Sequence, residues 1–269
     1  MNNQDPLVYN LEHYLNFLTD VLNNGHSFSV INSYRSALNL IFSPMSSVDE
    51  KVIIRFLKGI SNIRPPKPKY ASTWDPDPIL EQLGKWYPLE TLSMENLTYK
   101  LVTLMALTSA CRVQTLALIK IENIKVLREK IEIRIPDRVK TSARGRCQPL
   151  LIFPYFEKKP ELCVASTIEF YIEKSSSQRK GEQNLILTHK KPISRWIKKT
   201  LHIGGVDISM FSAHSTRHSS TSAAFRAGVN IEQIKNTAGW TSSSHTFFKF
   251  YNRPVKDSSD TFAKAIVKC

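Results

Sequence analysis

The hydrophobic positions in the first sixty residues recur at the spacing of α-helices. In residues 8–24 the apolar side chains fall on one helical face, at Leu11, Tyr14, Leu15, Leu18 and Leu22. Asn24 and Gly25 end that helix, and a second helix follows, capped by Ser27 or Ser29. A third helix is predicted over residues 48–60. The first part of the chain is therefore predicted to be a small helical bundle.

A proline-rich stretch interrupts the helical pattern at residues 63–78, which read IRPPKPKYASTWDPDP. Prolines resist both helix and strand, so this stretch is predicted to be a linker between two domains. Its basic residues Arg64, Lys67 and Lys69 could cross a phosphate backbone. A stiff surface loop explains the same composition equally well.

The rest of the chain combines helical periodicity with a short region of period two. Residues 131–135 and 149–153 alternate as strands do, and the turn between them is rich in basic residues. A further short strand is predicted at residues 185–187. Helices are predicted at residues 80–86, 92–110, 163–178 and 194–201. The predicted fold class is α+β and mostly α-helical.

Composition and charge narrow the classes of partner. The 269 residues are 42% hydrophobic and carry a net charge of +14, with a pI near 9.6. Such an excess of positive charge is typical of proteins that bind nucleic acid, and an anionic membrane surface is the rival partner. The sequence has no run of about eighteen apolar residues and no signal-peptide pattern, so a soluble, intracellular protein is expected. Its four cysteines are scattered, which favours reduced thiols over disulfides or a zinc site.

Candidate chemistry is concentrated in residues 214–251. His214 and Arg217 are three residues apart and share one helical face. There Arg217 can donate two hydrogen bonds to a phosphate, and His214 can accept or donate a proton beside it. Trp240 and Tyr251 follow, and Tyr251 is a candidate nucleophile. A zinc site at His214 and His218 is disfavoured because the glutamate after the first histidine is missing. The pattern predicts a cationic pocket beside a nucleophile.

A second arginine stands directly after the most apolar predicted helix. Arg112 ends the run LTYKLVTLMALTSAC, and an arginine there is costly to bury unless it meets an anion or a carboxylate. Arg112 is therefore a second candidate for binding phosphate. A structural ion pair is the alternative.

The order His214-x-x-Arg217, Trp240, Tyr251 resembles the tyrosine recombinases of the phage-integrase family. The tryptophan, followed by Ser-Ser-Ser-His-Thr-Phe, most resembles recombinases of eukaryotic mobile elements such as DIRS-like retrotransposons and Cryptons. This resemblance implies an N-terminal helical DNA-clamp domain (residues 1–62), the basic linker (63–78) and a catalytic domain with a small antiparallel β-sheet (79–269). The basic cluster formed by Lys190, Lys191, Arg195, Lys198 and Lys199 also passes as a nuclear-import signal, so a nuclear location is expected.

The resemblance assigns roles to single residues. Tyr251 would attack the scissile phosphate and form a 3′-phosphotyrosyl bond, and no metal or cofactor would be needed. Lys140 is the best match for the residue that protonates the leaving oxygen, and Arg138, Arg144 and Arg146 are near enough to compete for that role. The remaining catalytic positions would be Arg112, His214, Arg217 and Trp240, with His218 and Thr115 in support. Thr115 stands where the family usually has an acidic residue. The spacing from Trp240 to Tyr251 exceeds the family's usual spacing, so the loop between them is expected to bulge.

The same resemblance implies double-stranded DNA as partner and a homo-tetramer assembled on it. The tail at residues 259–267 would dock onto a neighbouring protomer. Residues expected to contact DNA are Arg64, Lys67, Lys69, Arg144, Arg146, Lys190, Lys191, Arg195, Lys198 and Lys199. Two alternatives stay open, namely a catalytically inactive, domesticated DNA-binding protein and an enzyme similar to type IB topoisomerases.

Overall fold

The computed structural model describes residues 8–145, 147–187 and 190–255, without the side chains of residues 190 and 191. Three predictions lie outside this part of the chain: contacts by Arg146, contacts by the side chains of Lys190 and Lys191, and the docking tail at residues 259–267. The chain divides into two compact units, Met1–Lys69 and Tyr70–Cys269.

The first unit contains the three predicted helices, α1 (Leu11–Asn23), α2 (Phe28–Ile41) and α3 (Ser47–Ile63). Each begins at a polar N-cap whose side chain accepts a backbone N–H, and the caps are Asn10, Ser27 and Ser46. Their buried faces form one small core from Tyr14, Leu18, Val21, Ile31, Ile53 and Ile60.

The second unit is mostly helical. Its helices are α4 (Asp77–Gly84), α5 (Met94–Ser109), α6 (Val113–Ala117), α7 (Val164–Ser175), α8 (Lys190–Ile203), α9 (Ser215–Arg226) and α10 (Ile231–Thr237). A π-helix, Phe247–Tyr251, follows α10. Helix α5 is buried over almost its whole length, as its apolar sequence predicts. It packs against α7, α8 and α9 and forms the centre of the unit.

A three-stranded antiparallel sheet, in the order β1-β2-β3, completes the second unit. Its strands are β1 (Ile124–Val126), β2 (Lys130–Arg134) and β3 (Leu150–Pro154). Ile131 pairs with Phe153 and Ile133 with Leu151, and all four side chains are buried in the core. The predicted α+β, mostly helical fold class is confirmed.

The strand predicted at residues 185–187 is wrong. Only Asn184 forms an isolated bridge, with Lys120, and the chain then bends. Leu185 and Ile186 are buried in the main core, which explains their apolar character without a strand.

The proline-rich segment differs from an extended tether in its second half. The first unit ends at Lys69, and from Tyr70 onward the chain packs within the second unit. Tyr70 and Trp74 are buried in its core, and α4 begins at Asp77. Within the described ranges, no helix combines the length and the apolar character needed to cross a membrane.

Candidate active site

The start of α9 brings three of the predicted site residues together. His214 is the N-cap of this helix, and Arg217 and His218 are buried on its first turn. His214 Nε2 lies 3.1 Å from the Tyr251 hydroxyl. The His218 ring stacks on the Tyr251 ring, with the centroids 4.1 Å apart and the planes 17° from parallel. The candidate nucleophile is therefore held between two histidines from one helix.

Arg217 is the most buried charged group of this cluster, with only 1% of its surface exposed. Its Nη1 donates to the Ala110 carbonyl and its Nη2 to the Ala238 carbonyl, each at 2.5 Å. Burial, and next the charge of Arg112, lower the pKa of Arg217 to about 10, so it stays cationic at neutral pH. A guanidinium has five N–H donors, and these two bonds leave donors for an anion.

Trp240 forms the wall beside Arg217. The Arg217 guanidinium lies 4.7 Å from the Trp240 ring centroid, within cation–π range. Trp240 follows Gly239, whose φ of 67° favours glycine. The backbone N–H of Trp240 donates to the Lys235 carbonyl. The Lys235 ammonium donates to the Ser242 carbonyl and to Glu232, so α10 fixes the loop on both sides of Trp240.

Tyr251 is the last residue of the π-helix that follows this loop. Asn252 N–H donates to the Phe247 carbonyl, the wider hydrogen bond that a π-helix makes. A turn at residues 241–244 and this π-helix accommodate the long spacing between Trp240 and Tyr251. Ser222 of α9 then holds the backbone, because its hydroxyl donates to the Tyr251 carbonyl at 2.7 Å and accepts the Arg253 N–H at 3.1 Å.

Two cavities adjoin this cluster, and Arg112 lies on both. One, of about 500 Å³, is also lined by Thr115, Arg217 and Trp240. The other, of about 470 Å³, is lined by His214 and the basic residues Lys140, Arg195 and Lys198. Arg112 thus connects the cavity at Arg217 with a groove that is rich in positive charge.

Arg112 lacks the support that Arg217 has. It is the N-cap of α6 and is partly exposed. Thr115 is buried one turn away, but it bonds Arg112 only through its backbone N–H. Among the described residues, the Arg112 guanidinium makes no hydrogen bond, with the Thr115 hydroxyl or any other group.

The residues predicted to contact DNA separate into groups. Arg195 and Lys198 line the basic groove, while Lys67, Lys69 and Arg144 are exposed elsewhere. Arg64 instead bonds the carbonyls of Leu22 and His26 within the first unit. Lys199 lies 3.3 Å from both Glu95 Oε1 and the Tyr99 hydroxyl. Arg64 and Lys199 therefore already have protein partners.

Sequence reasoning missed Ser222, Tyr70 and Trp74, all of which contact the cluster. Ser222 gave no signal, because a serine on a helix is common. Tyr70 and Trp74 did give one, since two large aromatic side chains in a stretch interpreted as a linker are costly to leave exposed. No group of three or more His, Cys, Asp or Glu side chains in the described ranges is arranged to hold a metal ion.

Comparison with protein families gives a match to the phage integrase family over residues 86–257, which is more than half of the chain. A search of curated proteins finds no match. Among solved structures, the XerH site-specific recombinase bound to a palindromic difH substrate matches with a TM-score of 0.65 at 14% identity, covering 96% of this chain and 73% of XerH.

Two further solved structures have the same fold. The Tn1549 transposon integrase bound to circular-intermediate DNA gives a TM-score of 0.57 at 14% identity, covering 96% of this chain and 86% of the integrase. A lambda integrase dimer bound to a core site gives 0.57 at 12% identity, with coverage of 94% and 67%.

Proposed function

Since the chain belongs to the phage integrase family, we propose that it is a site-specific recombinase that cuts and rejoins double-stranded DNA through a 3′-phosphotyrosine at Tyr251. The observation that carries this proposal is the position of the Tyr251 hydroxyl, 3.1 Å from His214 Nε2, with the Arg217 guanidinium 5.5 Å from the tyrosine ring. A nucleophile, a base and a fixed cation are thus in contact before DNA binds.

In the cleavage step, the Tyr251 oxygen attacks the scissile phosphorus while its proton passes to neutral His214. The bond from phosphorus to the 5′ oxygen breaks, and Lys140 gives that oxygen a proton, leaving a free 5′-hydroxyl. Arg112 and Arg217 bind the two non-bridging oxygens and stabilise the charge that develops there. The reverse sequence, with a 5′-hydroxyl from another strand, rejoins the DNA.

The position of Lys140 supports its role as the acid. Lys140 is exposed in the connection between β2 and β3, and it lines the groove that also contains Arg112 and His214. In-line attack by Tyr251 places the leaving oxygen opposite the tyrosine oxygen, and the proposal requires the Lys140 ammonium to reach that oxygen from the groove. Arg144, in the same connection, does not line that groove.

DNA would enter along the groove lined by Arg195 and Lys198. The net charge of +14 favours this partner, because phosphate neutralisation dominates the affinity of DNA-binding proteins. A tetramer on DNA is the proposed active form, and a lambda integrase tetramer bound to a Holliday junction has the same fold. The proposed setting, a eukaryotic mobile element in the nucleus, rests on Trp240 and the residues that follow it.

The test is covalent trapping. Duplexes selected for binding from a randomised pool would be nicked near the candidate cleavage positions, incubated with the protein in EDTA, and separated on a denaturing gel. The proposal predicts a protein–DNA adduct with the wild type and none with Tyr251→Phe, which keeps the ring that stacks on His218. Retarded DNA on a native gel with no adduct would favour an inactive DNA-binding protein. Relaxation of supercoiled DNA without strand exchange would favour a topoisomerase.

A further inference from the structure

Residues 70–74, the first five of the second unit, contact the elements that carry the candidate active site. Three of their side chains are almost fully buried, with exposed fractions of 4% for Tyr70, 0% for Thr73 and 7% for Trp74. None of the three lines either cavity beside the cluster. These three side chains therefore lie outside the two cavities in which the proposed function places the scissile phosphate.

The segment contacts the start of α9 at two points. The Tyr70 ring meets the His218 ring edge to face, with centroids 4.9 Å apart, and the Tyr70 hydroxyl lies 2.9 Å from Ser212 Oγ. Trp74 Nε1 donates to Ser215 Oγ at 2.8 Å, and Ser215 in turn donates to the Ser212 carbonyl. These bonds fix the turn that carries His214 and begins α9.

The same segment also holds the chain that leaves the nucleophile. Thr73 N–H donates to the Pro254 carbonyl at 2.8 Å, and Thr73 forms a parallel bridge with Val255. Pro254 is only three residues beyond Tyr251. Two hydrogen bonds therefore hold the backbone at the nucleophile: Ser222 of α9 bonds the Tyr251 carbonyl, and Thr73 bonds the Pro254 carbonyl.

We propose that segment 70–74 positions the catalytic groups, with Tyr70 and Trp74 setting the histidines of α9 and Thr73 setting the chain that carries Tyr251. Tyr70 holds His218, and His218 stacks directly on the Tyr251 ring, so the contact continues without a gap from the segment to the nucleophile. These are positioning residues, because their contacts are with His218, with the turn before α9 and with the chain after Tyr251, through which they act on the nucleophile.

The proposed role rests on the proposed cleavage reaction and adds a residue set to it. In-line attack requires the tyrosine oxygen to lie about 3–3.5 Å from the scissile phosphorus in an aligned geometry, and a misplacement of about 1 Å can cost about 100-fold in rate. Hydrogen bonds from one segment to both α9 and residue 254 remove relative movement between base and nucleophile. Loss of these bonds should slow cleavage and leave DNA affinity unchanged.

The experiment compares Trp74→Phe, Tyr70→Leu and Tyr70→Phe with the wild type. Trp74→Phe removes the bond to Ser215 and keeps an aromatic ring. Tyr70→Leu removes the ring that holds His218, whereas Tyr70→Phe keeps that ring and loses only the hydroxyl. Tyr171→Phe is the control, because Tyr171 is comparably buried, in α7, and its ring contact among the described residues is with Arg179. Three quantities would be measured: the single-turnover rate of adduct formation, the Kd for the same duplex, and the thermal midpoint.

Positioning predicts that Trp74→Phe and Tyr70→Leu slow adduct formation by about tenfold or more, with Kd changed less than about twofold. Tyr70→Phe should slow adduct formation less than Tyr70→Leu, because it loses the hydroxyl contact with Ser212 but keeps the ring against His218. Wild-type rates in Trp74→Phe and Tyr70→Leu would overturn the inference. So would a loss of rate that Tyr171→Phe reproduces at the same fall in thermal midpoint. An absence of adduct in the wild type would instead overturn the cleavage reaction itself.

Discussion

Two arginines face the same cavity with different support from the protein. Arg217 is clamped by the carbonyls of Ala110 and Ala238, whereas the Arg112 guanidinium makes no hydrogen bond within the described part of the chain. Arg217 therefore contributes to the fold as well as to the site. Arg112 contributes to the site alone and is the residue with more freedom to follow a bound phosphate.

Arg112→Lys and Arg217→Lys should both slow adduct formation by about 100-fold, because lysine cannot fork onto two phosphate oxygens. Only Arg217→Lys should destabilise the protein, by about 2 kcal/mol or more, since two buried carbonyls lose their donor. Arg112→Lys should change stability by less than about 0.5 kcal/mol. Denaturant unfolding and single-turnover cleavage measure the two effects. Equal loss of stability in both variants would contradict the assigned difference.

Ser222 is the residue that holds the Tyr251 backbone from α9. Ser222→Ala removes a donor to the Tyr251 carbonyl and an acceptor for the Arg253 N–H, so the nucleophile should lose its fixed position. We expect cleavage to slow by about tenfold, with DNA affinity unchanged in a native-gel titration. Ser220→Ala, two positions earlier on α9, is the control, because Ser220 bonds only the Thr216 carbonyl of its own helix. Similar rates in the two variants would contradict this role.

At the scale of residues, helical spacing predicted that His214 and Arg217 lie together, and the resemblance to tyrosine recombinases added Trp240, Tyr251 and Arg112 to the same site. His214, Arg217, Trp240 and Tyr251 share one cluster, and Arg112 lines the cavity beside it. Their catalytic roles stay predictions. The residues that hold these groups could not be predicted. The Ser222 hydroxyl bonds backbone atoms of residues 251 and 253, Thr73 bonds through its own N–H, and neither contact leaves a pattern in the sequence.

At the scale of elements, the basic residues of α8 have different partners. Arg195 and Lys198 line the groove beside His214, whereas Lys199, one turn after Arg195, pairs with Glu95 and Tyr99 of α5. A lysine that has an acidic partner gains less from a phosphate. Arg195 and Lys198 are therefore the residues of α8 that we expect to bind phosphate, and Lys199 connects α8 to α5.

Arg195→Ala and Lys198→Ala should each reduce the slope of log K against log salt concentration by about 1, because one phosphate contact is lost. Lys199→Ala is the control on the same helix and should leave the slope nearly unchanged. The slopes come from DNA titrations at several salt concentrations. A change in Lys199→Ala as large as the change in Lys198→Ala would contradict the assignment of different partners to these residues.

The contact between α5 and α4 depends on a buried lysine. Lys100 of α5 is fully buried and donates to the carbonyls of Leu83 and Trp86 near the end of α4. Burial lowers its pKa from 10.5 to about 8, and the charge of Glu161 opposes that shift. Between these two values the unfolded chain binds more protons than the folded chain. The free energy of unfolding should therefore rise with pH across this window.

Lys100→Met removes this titration. From pH 8 to pH 10 the wild type should gain about 2 kcal/mol of unfolding free energy relative to Lys100→Met. Urea unfolding of both proteins at the two pH values measures this difference. A difference that stays constant with pH would contradict a lowered pKa at Lys100.

Helices and strands were predicted correctly where the hydrophobic periodicity extended over many residues, as in α1 and α5. The short apolar run at residues 185–187 led to a wrong strand prediction, because three residues are too few to show a period and a buried loop has the same composition as a strand. Residues 70–74 were absorbed into the proline-rich stretch because prolines stand on both sides. Their burial depends on contacts with residues about 140 positions away, such as Trp74 with Ser215.

At the scale of the whole molecule, charge and fold point to the same partner by separate arguments. The net charge of +14 predicts a polyanion but does not distinguish DNA from a membrane surface. The match to the phage integrase family over residues 86–257, together with the fold of DNA-bound recombinases, favours DNA. The basic groove beside Arg112 concentrates part of this positive charge next to His214, which contacts the candidate nucleophile.

The central claim is that Tyr251 becomes joined to DNA, and the mass of the joined peptide tests it most directly. The trapped adduct would be digested with protease and nuclease, and the nucleotide-bearing peptide sequenced by mass spectrometry. The account predicts a nucleotide linked through its 3′-phosphate to Tyr251, with a free 5′-hydroxyl on the released strand. A nucleotide on another tyrosine, such as Tyr155, or a link through a 5′-phosphate would contradict it.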